Sequence, residues 1–285
     1  MSLAERRRCV TYLRNGYAIS ERRACQAMQM NRSSYRYVGQ KELVDVAYRE
    51  VLRLSERYPY FGYRKIYDLM RGNWAISRER VRLIRRREGL QVVRKRRKRK
   101  VLGMTTQWVR RAEYPNHVWS YDFVFDQTED GRQLKCLTVV DEFARQGLAI
   151  RIGRSLTASD ITRILEELFR EHGRPVCIRS DNGPELVSRH VQNWLKAQHV
   201  DTHYIDPGSP WQNAYNESFN SIFRTTCLDR CLFSSLTEAR VIIETWLDEY
   251  NTVRPHGSLG GITPEQFIIQ WSEGNTIQQP KSLTG

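Results

Sequence analysis

The sequence predicts an α/β protein in two unlike parts: an all-α amino-terminal region, then a mixed five-stranded sheet with flanking helices. Three observations carry this. The charge changes sign along the chain, helical spacing gives way to alternation at Trp119, and the signals that follow run in the order βββαβαβα.

Of the 285 residues, 1–112 hold 30 Lys and Arg against 9 Asp and Glu, whereas 113–285 hold 16 against 23. The first part is +21 and the second −7, within a total of +14. This split argues for at least two domains, the first a binder of polyanions, and against one uniformly basic module. The cysteines at 9, 25, 136, 177, 227 and 231 are scattered and form no Cys-x-x-Cys pair, so reduced thiols are expected. No apolar run approaches the roughly 18 residues of a membrane span. Met1 to Val10 lacks a signal-peptide core, so a cytoplasmic location without a membrane partner is expected.

Residues 4 to 37 read as short helices, with Ile19, Ala24, Ala27 and Met28 at helical spacing and MNRSSY as a polar turn; the pattern is helix, turn, helix. A second helical set follows. Residues 41 to 57 end before Pro59, Phe61 to Met70 is amphipathic, and Ser77 caps a helix that stops at Gly89. Val81, Leu83 and Ile84 supply the apolar side of that last helix. Its dense arginines, Arg78, Arg82, Arg85 and Arg86 among them, would repel one another unless something anionic lay against them, and DNA phosphate is the expected partner. Arg94, Lys95, Arg96, Arg97, Lys98, Arg99 and Lys100 are seven consecutive cations, read as a basic linker placed to track a DNA groove. The expected divisions are a helical DNA-binding region at 1–92, the linker at 93–112, a core at 113–270 and a tail at 271–285.

From Trp119, WSYDFVFD alternates with period two, LKCLTVVDEF is largely apolar and GLAIRI is a third strand, with turns at Asp130-Gly131 and at Arg145 to Gly147. Thr157-x-x-Asp160 opens a helix ending at Gly173, VCIRSDNG is a short buried strand, Pro184 to His199 is helical and THYI is a fifth strand. Helices at 211 to 228 and 237 to 250 complete the order.

Three carboxylates in this second part resist a bland explanation. Asp122 lies inside an apolar strand, where an unpaired charge would cost several kcal/mol to bury, so it needs a cation or a solvent-filled cleft. Asp181 follows a strand at its carboxyl end, where open α/β sheets place their sites. Glu217 lies in a helix whose Pro210 suits a first turn. Thirty-five residues separate Asp181 from Glu217.

That spacing, the early Asp on a strand and the element order resemble the DDE transposase and integrase superfamily with its RNase H-like catalytic core. The motifs W-S-x-D at 119–122, V-V-D-E-F-A-R at 139–145, S-D-N-G at 180–183 and S-P-W-Q-N-A-x-N-E-S-F-N from Ser209 carry the likeness. The ending from Tyr250 to Phe267 resembles the tail of bacterial IS3-family insertion-sequence transposases. The resemblance implies a transposase whose Asp122, Asp181 and Glu217 hold Mg²⁺, with Mn²⁺ as a substitute. Such enzymes hydrolyse a transposon end and join the freed 3′ hydroxyl to another phosphodiester. It also implies double-stranded DNA partners (terminal inverted repeats and target), a homo-oligomer on DNA, and the upstream reading-frame product of the same element as a further partner. Arg224, seven residues beyond Glu217 on the same helix face, is an implied DNA contact, and Asn213, four before Glu217, is read as binding DNA or orienting the carboxylate.

Asp141 and Glu142 end the second strand and are read as loop and charge-pairing residues; Asp126 is a weaker rival to Asp122. His199-x3-His203 and Cys227-x3-Cys231 have the donor types of a zinc module. They straddle the fifth strand and the Glu217 helix inside the core, so zinc is not favoured. His256 and Arg254 in RPHGSL are read as packing or DNA-contacting residues.

Overall fold

The computed structural model describes residues 3–36, 41–92, 111–180, 183, 188–204 and 214–276. The run Arg94 to Lys100, Asp181, Asn182 and Asn213 lie outside the described residues.

The amino-terminal helices are α1 (Leu3–Tyr17), α2 (Glu21–Ala27) and α3 (Arg32–Arg36), closed around Val10, Ala24, Cys25 and Met30. Ser20 caps α2 by accepting from the Arg23 amide. The stretch expected as the turn MNRSSY is instead largely helical. Its Arg32 and Arg36, one turn apart, both reach Glu21 Oε1 (3.1 and 2.8 Å), and Arg7 donates to the Ser34 carbonyl, so long-range pairing overrides the local turn preference of Asn and Ser.

The second helical set is α4 (Lys41–Arg57), α5 (Tyr63–Met70) and α6 (Arg78–Arg87), with its own core of Val51, Leu54, Tyr58, Phe61, Ile66, Met70, Val81 and Ile84. Ser77 caps α6 through the Arg80 amide, and Gly89, at φ 69°, lets the chain leave it. Leu83 departs from expectation and is exposed. Two residues beyond Val81, it points about 200° round the helix, away from the core.

The core sheet contains β1 (Val118–Gln127), β2 (Gln133–Asp141), β3 (Gly147–Gly153), β4 (Cys177–Ser180) and β5 (Asp201–Tyr204) in the spatial order β3-β2-β1-β4-β5. β1 is central, antiparallel to β2 and parallel to β4. One face packs under α7 (Ala158–His172) and α8 (Arg189–Ala197) through Trp119, Tyr121, Leu137, Ile161, Leu165 and Leu195. The other packs under α9 (Ala214–Thr226) and α10 (Leu236–Thr252) through Val124, Cys136, Phe219, Phe223, Ile243 and Trp246. Thr157 and Asp160 form a reciprocal capping box at the start of α7. The last described helix, α11 (Pro264–Thr276), crosses the boundary expected after residue 270, and its Phe267 and Trp271 pack on Phe143 with ring centroids at 5.4 and 4.8 Å. Among the described residues no helix is long and apolar enough to cross a membrane.

The second helical set docks on the end of the core. Val253 joins its apolar cluster, Lys65 Nζ donates to the Pro255 carbonyl at 3.0 Å, and Arg71 donates to the carbonyls of Gly260 and Gly261.

Gly147 opens β3 where the sheet meets both α9 and α10. A Cβ there would lie 2.5 Å from Leu247 Cδ1 and 2.8 Å from Phe219 Cε2. Gly147→Ala is therefore expected to lower the unfolding free energy by about 1–3 kcal/mol, as overpacked cores do. Urea unfolding checks this, and an unchanged midpoint would show that Leu247 and Phe219 yield freely.

Candidate active site

Along β1 the side chains alternate between the two layers. Trp119 and Tyr121 join the α7/α8 cluster and Val124 joins the α9/α10 cluster, so Asp122 faces α9. The partly buried carboxylate is well held. Oδ1 accepts from the Phe123 amide at 2.7 Å, and Oδ2 accepts from Asn220 Nδ2 at 2.8 Å. Thr138 lies directly across from Asp122 on β2. Its hydroxyl has one proton to give and lies within reach of three acceptors: the Asp122 carbonyl (3.2 Å), Asn220 Oδ1 (3.0 Å) and Asn216 Oδ1 (3.3 Å).

Asn220 therefore ties α9 to β1 and β2 at the level of Asp122. Glu217 stands one turn earlier, in the first turn of α9, exposed to solvent, where the helix dipole favours a negative charge. On the other side of β1, Ser180 ends β4 paired with Tyr121, the residue before Asp122. Asp181 is the next residue in the sequence and lies outside the described residues.

Arg224 sits farther along α9. It donates to the Phe125 carbonyl and pairs with Asp126 (3.6 Å), so Asp126 is engaged by a cation at the far end of β1. Asp141 accepts from the amides of Asn116, Phe143 and Ala144 at 2.6 to 2.8 Å, which shapes the β2–β3 turn. Glu142 is fully buried against Arg179, whose Nη1 donates to both carboxylate oxygens at 2.7 and 2.6 Å. Burial pushes the Glu142 carboxyl above the usual carboxylate range, against the pull of Arg179.

The histidines and cysteines with zinc-like spacing occupy different places. His199 and His203 flank Val200, which packs with the α7/α8 layer, whereas Cys227 is buried with Phe223 in the α9/α10 layer. Among the described residues no three His, Cys, Asp or Glu side chains are grouped to hold a metal ion.

The α6 arginines divide. Arg86 is exposed and, with Arg82, Tyr63 and Gln91, lines a cleft of about 690 Å³. Arg82 is held by Glu79, with Nε at 2.8 Å from its carboxylate, and Arg78 lies over the Tyr67 ring. Arg85, expected to face phosphate, is turned inward and only 3% exposed. One turn beyond Val81, it shares the buried face and donates to Ser55 Oγ and the Leu90 carbonyl, satisfying groups at the helix end. Part of the anionic partner expected from DNA is supplied within the chain, by the Arg82–Glu79 and Arg87–Glu88 pairs.

Residues 112–210 match one family model of the integrase core domain, and residues 198–264 match a second. The chain is 36% identical over 255 residues to an uncharacterized 39.2 kDa protein of insertion element IS476 from Xanthomonas euvesicatoria, covering 89% of this chain and 73% of that one. It is also 36% identical over 260 residues to the 31.7 kDa protein of IS407 from Burkholderia multivorans, covering 90% and 94%. The chain belongs to the insertion-element transposases with an integrase core. The transposase is 25% identical over 275 residues to the putative transposase InsK of IS150 from Escherichia coli, covering 90% of this chain and 96% of that one. Its fold is similar to that of the simian T-cell lymphotropic virus intasome in complex with PP2A regulatory subunit B56 gamma, with TM-score 0.50, 18% identity, and 81% and 76% of the two chains covered. The core is RNase H-like, as the sequence order implies.

Asn220, Thr138, Asn216 and Arg179 did not stand out in the sequence. Asn220 carried a usable signal, since it lies one turn beyond Glu217. Arg179 is tested by removing its charge: Arg179→Met leaves Glu142 buried without a partner and is expected to cost the transposase about 3–5 kcal/mol of stability. Adding Glu142→Leu should restore most of it in urea unfolding. A double variant no more stable than the single one would show that the pair does not act as a unit.

Proposed function

We propose that this transposase cuts DNA at the ends of its element and joins the freed 3′ ends to target DNA, using Asp122, Asp181 and Glu217 to hold Mg²⁺. The observation that supports this most is the Asn220–Asp122 hydrogen bond, which sets the Glu217 helix against the central strand. The donor set fits the ion: carboxylate oxygens only, with Glu217 exposed and Asp122 partly so, suits a hard cation that keeps several of its waters. When bound, Mg²⁺ would supply Lewis-acid polarisation of phosphoryl oxygen and a lowered pKa for the attacking hydroxyl. Mn²⁺ would serve as a substitute.

The chain's own residues do the positioning. Asn220 and the Phe123 amide fix both oxygens of Asp122, so little reorganisation is left to the reaction. Arg224, pinned at the far end of β1, offers a guanidinium to a backbone phosphate, and Asn213 is assigned the same task from the segment before α9. In the first reaction water attacks phosphorus and the ester bond breaks, leaving a 3′ hydroxyl. In the second that hydroxyl attacks a target phosphodiester, so one ester bond forms as another breaks.

The helices of residues 1–92 recognise the element's terminal repeats in the helix-turn-helix manner, and the cations from Arg94 to Lys100 add sequence-independent grip. Exposed Arg78 and Arg86, with half-buried Arg82 beside them, extend that grip. Bridging two DNA ends requires a homo-oligomer on DNA, and the upstream reading-frame product of the element is a further partner.

Incubating the protein with Mg²⁺ and a labelled terminal-repeat duplex tests the reading. Wild type is expected to nick and join, and Glu217→Gln to do neither while still binding the duplex. Asn220→Ala should lose at least about tenfold in rate for about 1 kcal/mol of stability. Full activity in Glu217→Gln would sink the proposal.

A further inference from the structure

Where the second helical set meets the core, positive charge gathers, and among the described residues Lys65, Arg254 and Arg145 form no ion pair. The Phe61 ring is flanked by Lys65 Nζ at 5.4 Å and by Arg254 Cζ at 5.3 Å. Among the described residues Lys65 has one hydrogen-bond acceptor, the Pro255 carbonyl, for three donor hydrogens. Among the described residues Arg254 makes no ion pair, and its Nε is buried without an acceptor. Arg145 has its guanidinium 3.6 Å from the centre of the Tyr215 ring, with Nη1 likewise buried and unmatched, on a backbone held at φ 58°. His256, 7% exposed, sits edge-on to Tyr250 and leaves Nε2 without a partner. The acids nearby have other partners: Asp68 pairs with Arg71 (3.7 Å), Glu249 with Arg57 (3.6 Å) and Glu142, which faces Arg145, with Arg179 (2.6 Å), while Asp141 accepts from backbone amides.

We propose that Lys65, Arg254 and Arg145 form a phosphate-binding site across this junction, which takes backbone phosphodiesters of the bound duplex. The proposal rests on the reading that the transposase binds DNA. Lys65 and Arg254 repel one another, Arg145 joins them around His256, and half-buried cations are costly to desolvate unless an anion lies among them. A planar guanidinium beside an ammonium suits phosphate oxygens. The place also fits. Arg145 stacks on Tyr215, two residues before Glu217, while Lys65 and Arg254 join α5 to the chain after α10.

The electrostatics agree. Burial, then Lys65, Arg254 and Arg145 in turn, hold the His256 imidazole down to about 3, so it is neutral and adds no charge of its own. Burial and then Arg254 bring the Lys65 ammonium down to about 7, with Asp68 pulling the other way. Arg254 and His256 face Lys65 from the core side, and Asp68 from its own helix. A phosphate arriving here would restore the full charge of Lys65.

The test is the salt dependence of binding to a fluorescent terminal-repeat duplex, read by anisotropy. Against wild type, Lys65→Gln/Arg254→Gln should flatten the slope of log affinity against log salt by about 1 to 2. Glu217→Gln should keep the wild-type slope whether or not it cuts, which separates this site from the catalytic reading. If the double variant melts early, Lys65→Arg decides: wild-type affinity should fall as pH rises past about 7, and Lys65→Arg affinity should not. An unchanged slope in a folded double variant, or the same pH dependence in Lys65→Arg, would overturn the proposal. So would inorganic phosphate raising the melting temperature through Arg254 while the DNA slope stays at the wild-type value, since that would assign a free anion.

Discussion

One side-chain amide holds the candidate site together. Asn220 donates to Asp122, accepts from Thr138 and belongs to the helix that carries Glu217. Three elements far apart in sequence, β1, β2 and α9, are thereby set in register at Asp122, with Asn220 one turn along α9 from Glu217. Carboxylates repel, and the sheet alone would not bring a helical Glu to a strand Asp. The amide holds Asp122 to α9 without adding charge, and the Thr138 hydroxyl, buried with Asn216, donates to the amide oxygens of that helix.

The rest of the core supports that arrangement. Phe219 and Phe223 lie on α9 between Glu217 and its end, and they anchor the helix in the same cluster as Trp246 and Tyr250. On the other flank the buried Glu142–Arg179 pair clamps β4 beside β1 two residues before Asp181. A charge pair this deep contributes little net stability, but breaking either half is costly, so it specifies position more than it stabilises. The same economy applies at the junction with the helical set, where cations are kept half-buried and open.

Much of the fold could be read from the chain because its signals are local. Alternation marked β1, caps at Ser77 and Thr157 marked helix starts, and Arg57 closes α4 just before Pro59. Asp122 stood out as a charge inside an apolar strand, and Glu217 by its spacing from Asp181 and the motif around it. Long-range pairing was not readable. The Thr138–Asp122 register depends on how two strands align, Arg85 turns inward because Ser55 and Leu90 need its donors, and α3 forms because Glu21 gathers two arginines. In each case a partner distant in sequence outweighs the local preference.

Asp122 and Glu217 are proposed as ligands of one cation centre. The most direct measurement is an anomalous difference map from crystals of the full chain grown with Mn²⁺ and terminal-repeat duplex. Peaks bridging the carboxylates of Asp122, Asp181 and Glu217 are the expected result. Mn²⁺ bound elsewhere, with Asp122 and Glu217 free of metal, would contradict it.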